Sequence, residues 1–266
     1  MEELSYQEMQ HVLMDELRLM HYPIAIKYFF DQAELDDFKE RVSYYLPAKA
    51  LTFCQAEIGA RMEGITVLVG KEQLGCSNAK CVFGWKDIDA GEIKGHLKYC
   101  ENLEQAERFV RSKPRLKEGL LAAAVSPLAD AAFPPDVVHF YCDNMQAYHL
   151  VVDWMAVMDK HPLRPNMTMN SAACAGNVYV YNSGEANVFL ACSGSYNAGK
   201  TERGEINVAI PGKDIGRVVA RLKARKEREG GAAITRIGHP FPGADICKNC
   251  PLIVFKKAKD PVETAD

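Results

Sequence analysis

At 266 residues the chain is long enough to bury roughly three quarters of its unfolded surface in one large domain or two halves sharing an interface. Hydrophobic residues make up 48% and charged residues 25%, with a net charge of −3, so composition excludes a globally basic nucleic-acid binder. No apolar run approaches the ~20 residues of a membrane span, and the acidic opening Met1-Glu2-Glu3-Leu4 lacks the basic start of a signal peptide. Nine cysteines, an odd number, then point to free or metal-bound thiols in a reducing compartment, and a cytoplasmic location is expected.

Met9, Val12, Leu13, Leu17 and Met20 recur at helical spacing and predict an amphipathic first helix. Pro23 introduces a strand over Ile24–Phe30, and Asp31 with Glu34 forms the pattern of a capping box for a short helix. A second helix is expected over Ala48–Glu63, ended by a left-handed Gly64, followed by strand Ile65–Val69 and a loop bearing Cys76. Asn102 caps a further helix that Pro114 ends. Strand Leu120–Val125 follows, and Ser126-Pro127 predicts a short helix with serine as N-cap and proline at its first position.

The order then repeats. Strand Val137–Tyr141 precedes a helix capped by Asp143 and Gln146 and carrying Leu150, Trp154 and Val157. After a loop broken by Pro162 and Pro165, a helix near Ser171–Asn182 ends at Gly184. Strand Asn187–Ala191 delivers Cys192, and strand Ile206–Ile210 leads into helix Ile215–Arg228, closed by Gly230-Gly231. The expected fold class is therefore α/β or α+β: a mixed sheet with helices, built from two similar strand-helix-helix-strand-strand-helix halves. The boundaries are 1–133, 134–230 and a tail at 231–266, expected as parts of a single domain in which strand direction is not legible.

Two cysteine pairs occupy matching places in the halves. Cys54-Gln55-Ala56-Glu57 precedes Gly64 by the same ten residues that separate Cys174-Ala175-Gly176-Asn177 from Gly184, and Cys76 and Cys192 each follow the next strand. At this point the chain resembles the prokaryotic domain-of-unknown-function family numbered 169 over about residues 20–230. The resemblance is carried by Pro23-Ile24-Ala25-Ile26-Lys27, Phe53-Cys54-Gln55-Ala56, the Cys76 loop ending at Phe83-Gly84, Ala173-Cys174-Ala175, Ala191-Cys192-Ser193-Gly194 and Ile210-Pro211-Gly212. Tyr196 stands near where the resemblance leads one to expect an arginine, and Cys81, Cys100, Cys247 and Cys250 are additions.

Four thiolates from Cys54, Cys76, Cys174 and Cys192 suit an iron–sulfur cluster, with [4Fe-4S] the leading expectation, or a tetrahedral zinc ion. Packing is the competing role, because free cysteine buries like a small hydrophobe. Cys247-Lys248-Asn249-Cys250-Pro251 is the most compact pair; with Cys81 and Cys100 it would complete a second four-thiolate site.

Gly194–Thr201 satisfies G-x-x-x-x-G-K-[ST], but a phosphate cradle needs a helix straight after the Lys-Thr, whereas Ile206–Ile210 alternates like a strand. A polar loop in which Ser195, Asn197, Lys200 and Arg203 bind a cofactor or small anion is the expectation instead. Histidines lack metal-ligand spacing, and His139 and His149 are expected in core or surface roles. The basic run from Arg217 to Arg228 is expected to form a solvated helix face. The leading function is thus a cysteine-ligated metalloprotein of redox or cofactor-related metabolism, its partner a small molecule or a redox protein, with neither nucleic acid nor membrane involved and homo-oligomer formation open. The rivals are a metal-free thiol enzyme acting on a small anion and a P-loop-like nucleotide binder.

Overall fold

Ser5 and Glu8 cap each other's backbone to start helix α1 (Tyr6–Leu17), and the chain enters strand β1 (Ile24–Phe29). The computed structural model describes residues 4–229. Helices α2 (Gln32–Arg41) and α3 (Phe53–Arg61) lead to strand β2 (Val67–Gly70); short helices α4 (Ser77–Val82) and α5 (Ala90–Gly95) and helix α6 (Leu103–Arg111) precede strand β3 (Ala122–Pro127). The second half runs β4 (Val137–Cys142), α7 (Asn144–Met158), α8 (Ala172–Ser183), β5 (Asn187–Phe189), α9 (Ser193–Asn197), β6 (Ile206–Pro211) and α10 (Ile215–Glu229).

The six strands form one sheet in the order β2-β3-β1-β4-β6-β5. Every strand pair is antiparallel, so the fold is α+β and the sheet is not mixed in direction. Exchanging β1 with β4, β2 with β5 and β3 with β6 reproduces the same order in reverse, with β1 and β4 meeting at the centre through Ile24↔His139 and Ile26↔Val137. Both β3 and β6 end in proline and pass into a single 3-10 turn, at Leu128–Asp130 and Gly212–Asp214.

Helices cover both faces, which is why the central strands read as continuous apolar runs rather than alternating ones. Along β1, Ala25 and Phe29 enter a core shared with Leu13, Phe38, Trp154 and Val218. Ile24, Ile26 and Tyr28 point the other way, into a core with Phe53, Phe83, Val178 and Phe189. The cysteine-bearing helices α3, α4 and α8 belong to this second face.

Several boundaries differ from expectation for reasons outside the local sequence. The helix expected from Ala48 starts only at Phe53. Leu51 is held extended, donating its N–H to Gln73 and accepting that of Gly75, and Thr52 then forms a capping box with Gln55. Gly64 and Gly184 both take the left-handed conformation at φ +67, Gly184 as the cap of α8. The short helix expected at Ser126-Pro127 is the 3-10 turn Leu128–Asp130, with Pro127 rather than Ser126 at its N-cap; both residues lie in β3, where the Ser126 hydroxyl bonds that of Thr66 at 2.7 Å. Met20 lies beyond α1 and is largely exposed.

Candidate functional site: a four-thiol cavity

Each of the four matched cysteines sits where a helix begins. Cys54 and Cys174 lie in the first turns of α3 and α8, while Cys76 and Cys192 are the N-cap residues of α4 and α9. The sheet gathers these four starts around one cavity of about 50 Å³, whose wall includes all four cysteines and Phe53. Thr52, Asn78, Ser171 and Ser195 also reach it. That room corresponds to between one and two water-sized volumes. Among the described residues no three His, Cys, Asp or Glu side chains stand in an arrangement that could hold a metal ion, so the thiols share a cavity without forming a ready-made ligand cage.

Cys54 Sγ lies 3.1 Å from Thr52 Oγ1 and 3.8 Å from the Gly194 carbonyl oxygen. Gly199 makes this approach feasible: a Cβ there would fall 2.8 Å from both Cys54 Cβ and the Ser195 carbonyl oxygen. Burial pushes the Cys54 thiol up to about 12, the Thr52 hydroxyl working against it and the Glu57 carboxylate with it. Cys174 is raised well above the usual thiol range by burial first, then by Cys76, Cys54 and Glu57.

Behind the cavity lies a buried polar network that connects the two halves. Glu57 is one turn beyond Cys54, as Asn177 is one turn beyond Cys174, so each polar side chain extends from its cysteine's face of the helix toward the sheet. Glu57 accepts the Tyr141 hydroxyl at 2.6 Å and the Asn177 amide at 3.1 Å, and lies 2.9 Å from His139 Nδ1. His139 Nε2 is 3.1 Å from Asn207 Oδ1. The Arg61 guanidinium stacks 4.1 Å above the Tyr141 ring and donates to the carbonyls of Gly199 and Lys200, both at 2.8 Å. Glu57 and His139 are fully buried. A buried carboxylate is tolerable here because both its oxygens accept hydrogen bonds, while Arg61 pairs with Glu205 at 3.6 Å.

The loop that matches the phosphate-binding pattern is built differently from a phosphate cradle. Residues 193–197 form the short helix α9, and Lys200-Thr201 passes into a turn before β6 instead of a helix. Its backbone offers the Gly199 and Lys200 carbonyls to Arg61, where a phosphate site would offer N–H groups. Ser195 is buried and bonded to the Thr201 hydroxyl at 2.8 Å, whereas Asn197, Lys200 and Arg203 are exposed and do not line the cavity.

Cys81 is buried on α4 with its thiol 3.6 Å from the Asp87 carbonyl oxygen, and Cys100 follows the 3-10 turn Leu97–Tyr99; neither lines the cavity. Cys247 and Cys250, and the second site expected of them, lie outside the described residues, as does Gly230-Gly231. His139 proves to be a core residue, in the network itself. The network's other members had one legible signal, the shared three-residue step from Cys54 to Glu57 and from Cys174 to Asn177.

The chain belongs to the DUF169 family, described as uncharacterised ArCR, whose model matches residues 12–221. No curated protein and no solved structure matches it. Among the described residues no helix is long and apolar enough to cross a membrane.

Proposed function

We propose that the chain is a cytoplasmic cysteine-ligated metalloprotein whose metal is held by Cys54, Cys76, Cys174 and Cys192, acting in redox or cofactor-related metabolism. One observation carries this reading: four thiols from four separate helix starts wall a single cavity. A donor set of four soft sulfurs matches zinc, iron and iron–sulfur chemistry. The room matches one ion better than a four-iron cube, for which the walls would have to part. A metal held by these four sulfurs would contribute part of its binding free energy as stability of the protein. A bound metal would supply a redox centre or a Lewis acid. The chain's own part is to exclude water with Phe53, engage Cys54 with Thr52 and back the thiols with the Glu57 network. Lys200 and Arg203 on the neighbouring loop are the groups proposed for a small anionic partner, Ser195 and Asn197 shaping that loop.

A metal-free thiol enzyme is the weaker reading. Its nucleophile needs a lowered pKa or an adjacent base, yet burial raises Cys54 and Cys174, and among the described residues no histidine hydrogen-bonds any of the four sulfurs. Anaerobic purification with metal analysis tests the proposal. Full-length protein should carry iron or zinc, with broad visible absorption if the metal is a cluster, and each single Cys→Ala variant at the four positions should lose it. Full metal content in all four variants refutes the centre and turns attention to Cys247 and Cys250.

A further inference from the structure

The four-thiol cavity has a buried cation beside it. Lys113, two residues beyond α6, is 6% exposed. Among the described residues its ammonium contacts only neutral groups: Asn78 Oδ1 at 3.0 Å, His96 Nε2 at 2.8 Å, Ser171 Oγ at 3.4 Å and, 5.0 Å away, the Phe109 ring. These three bonds use all three of its N–H donors. His96 accepts through Nε2 because its Nδ1 donates to the Glu92 carbonyl oxygen at 2.7 Å. The Glu92 carboxylate, on the far side of the imidazole, is already engaged by the Ser77 hydroxyl at 2.8 Å and faces Lys86 at 3.8 Å. Among the described residues Lys113 has no carboxylate within ion-pair distance.

A buried ammonium without an anion is costly unless a compensating charge lies close. Two of the three groups that hold Lys113, Asn78 and Ser171, are themselves walls of the thiol cavity. The cation therefore stands one side chain away from it. Burial lowers the Lys113 pKa, while Glu92, Cys174, Cys81 and Cys76 act to raise it. Four thiolates around a divalent ion retain an excess of two negative charges. We propose that Lys113 is the fixed counter-cation of the thiolate centre, a positioning residue that offsets this excess from behind Asn78 and Ser171 and thereby sets the affinity of the site for metal.

This inference rests on the metal-centre reading above, and the two fail differently. The probe is zinc alone, titrated into metal-free, full-length protein against a chelator; the binding lost in Cys174→Ala defines the site. Wild-type protein with no Cys174-dependent zinc site refutes the centre before Lys113 is touched. If the centre exists, Lys113→Met and Lys113→Gln should each weaken that site by about tenfold or more, the scale expected from deleting one charge in a poorly screened interior. Without metal, the same variants should melt no lower than wild type, because they remove an unpaired buried charge. Those opposite responses separate a counter-cation from a merely structural lysine. Lys113→Gln retains a hydrogen-bonding head without charge and carries the test if the methionine variant does not fold. Unchanged zinc affinity in Lys113→Gln overturns the proposal, as does failure of both variants to fold without metal.

Discussion

Glu57→Ala is the most informative perturbation of the layer beneath the thiols. The wild-type carboxylate is fully buried and faces three groups: the Tyr141 hydroxyl, His139 Nδ1 and the Asn177 amide. These losses are unequal. His139 can shift its proton to Nε2, which faces Asn207 Oδ1 at 3.1 Å, leaving Nδ1 to accept from Asn177 Nδ2 at 3.3 Å. Tyr141 has no such escape, and a stranded buried donor costs about 1–3 kcal/mol. Arg61 keeps its ion pair with Glu205 at 3.6 Å, but a void opens where the Glu57 side chain was. The stranded donor and the void together give a loss of roughly 3–5 kcal/mol, a large share of the ~5–15 kcal/mol that holds a typical domain folded. Glu57→Gln retains one acceptor oxygen and should cost only about 1 kcal/mol. Urea unfolding of metal-free protein followed by circular dichroism reads both. In a Tyr141→Phe background no hydroxyl is left stranded, so Glu57→Ala should cost less there, by about 1 kcal/mol or more. A Glu57→Ala loss below about 1 kcal/mol, with the denaturant dependence unchanged, would show that the network does not anchor the two halves.

Gly199→Ala places a Cβ 2.8 Å from both Cys54 Cβ and the Ser195 carbonyl oxygen. It should lower stability by about 1–3 kcal/mol in a thermal melt, and a neutral result would mean the loop is free to lift off Cys54. Lys200→Ala should leave ATP binding by calorimetry as it is in wild type, namely absent; tight magnesium-dependent binding lost in the variant restores the phosphate-loop reading. Burial lowers the His96 pKa; the Glu92 carbonyl opposes this and the Lys113 ammonium adds to it. The unfolded imidazole therefore takes up its proton first, near pH ~6.5, so the stability His96 contributes is complete above that pH and is lost as pH falls through the folded-state pKa. His96→Gln should flatten this acid-side loss in denaturation curves, and identical pH dependence in the two proteins refutes it.

Local chemistry made much of the framework legible before any tertiary contact was known. Apolar runs marked β1 and β4, and the caps at Asn102 and Asp143 act through side chains only a few residues from the N–H groups they satisfy. The matched spacing of Cys54 and Cys174, each with a polar residue three positions on, was likewise present in the order of residues alone. The late start of α3 was not, because Leu51 gives up helix for bonds to Gln73 and Gly75, beyond the reach of any helical window. Strand direction was equally hidden, since runs buried on both faces read alike whichever way their neighbours point. Only the assembled sheet brought Glu57 to His139, 82 residues away, and turned four dispersed thiols into the wall of one cavity. Lys113 shows the division most plainly. In the sequence it is one more lysine just past a surface helix, and only the approach of Asn78, His96 and Ser171 from other elements shows it out of water. Capping and periodicity act within a turn or two of chain, whereas burial of a charge, and the identity of whatever balances it, depends on which distant segments the sheet holds side by side.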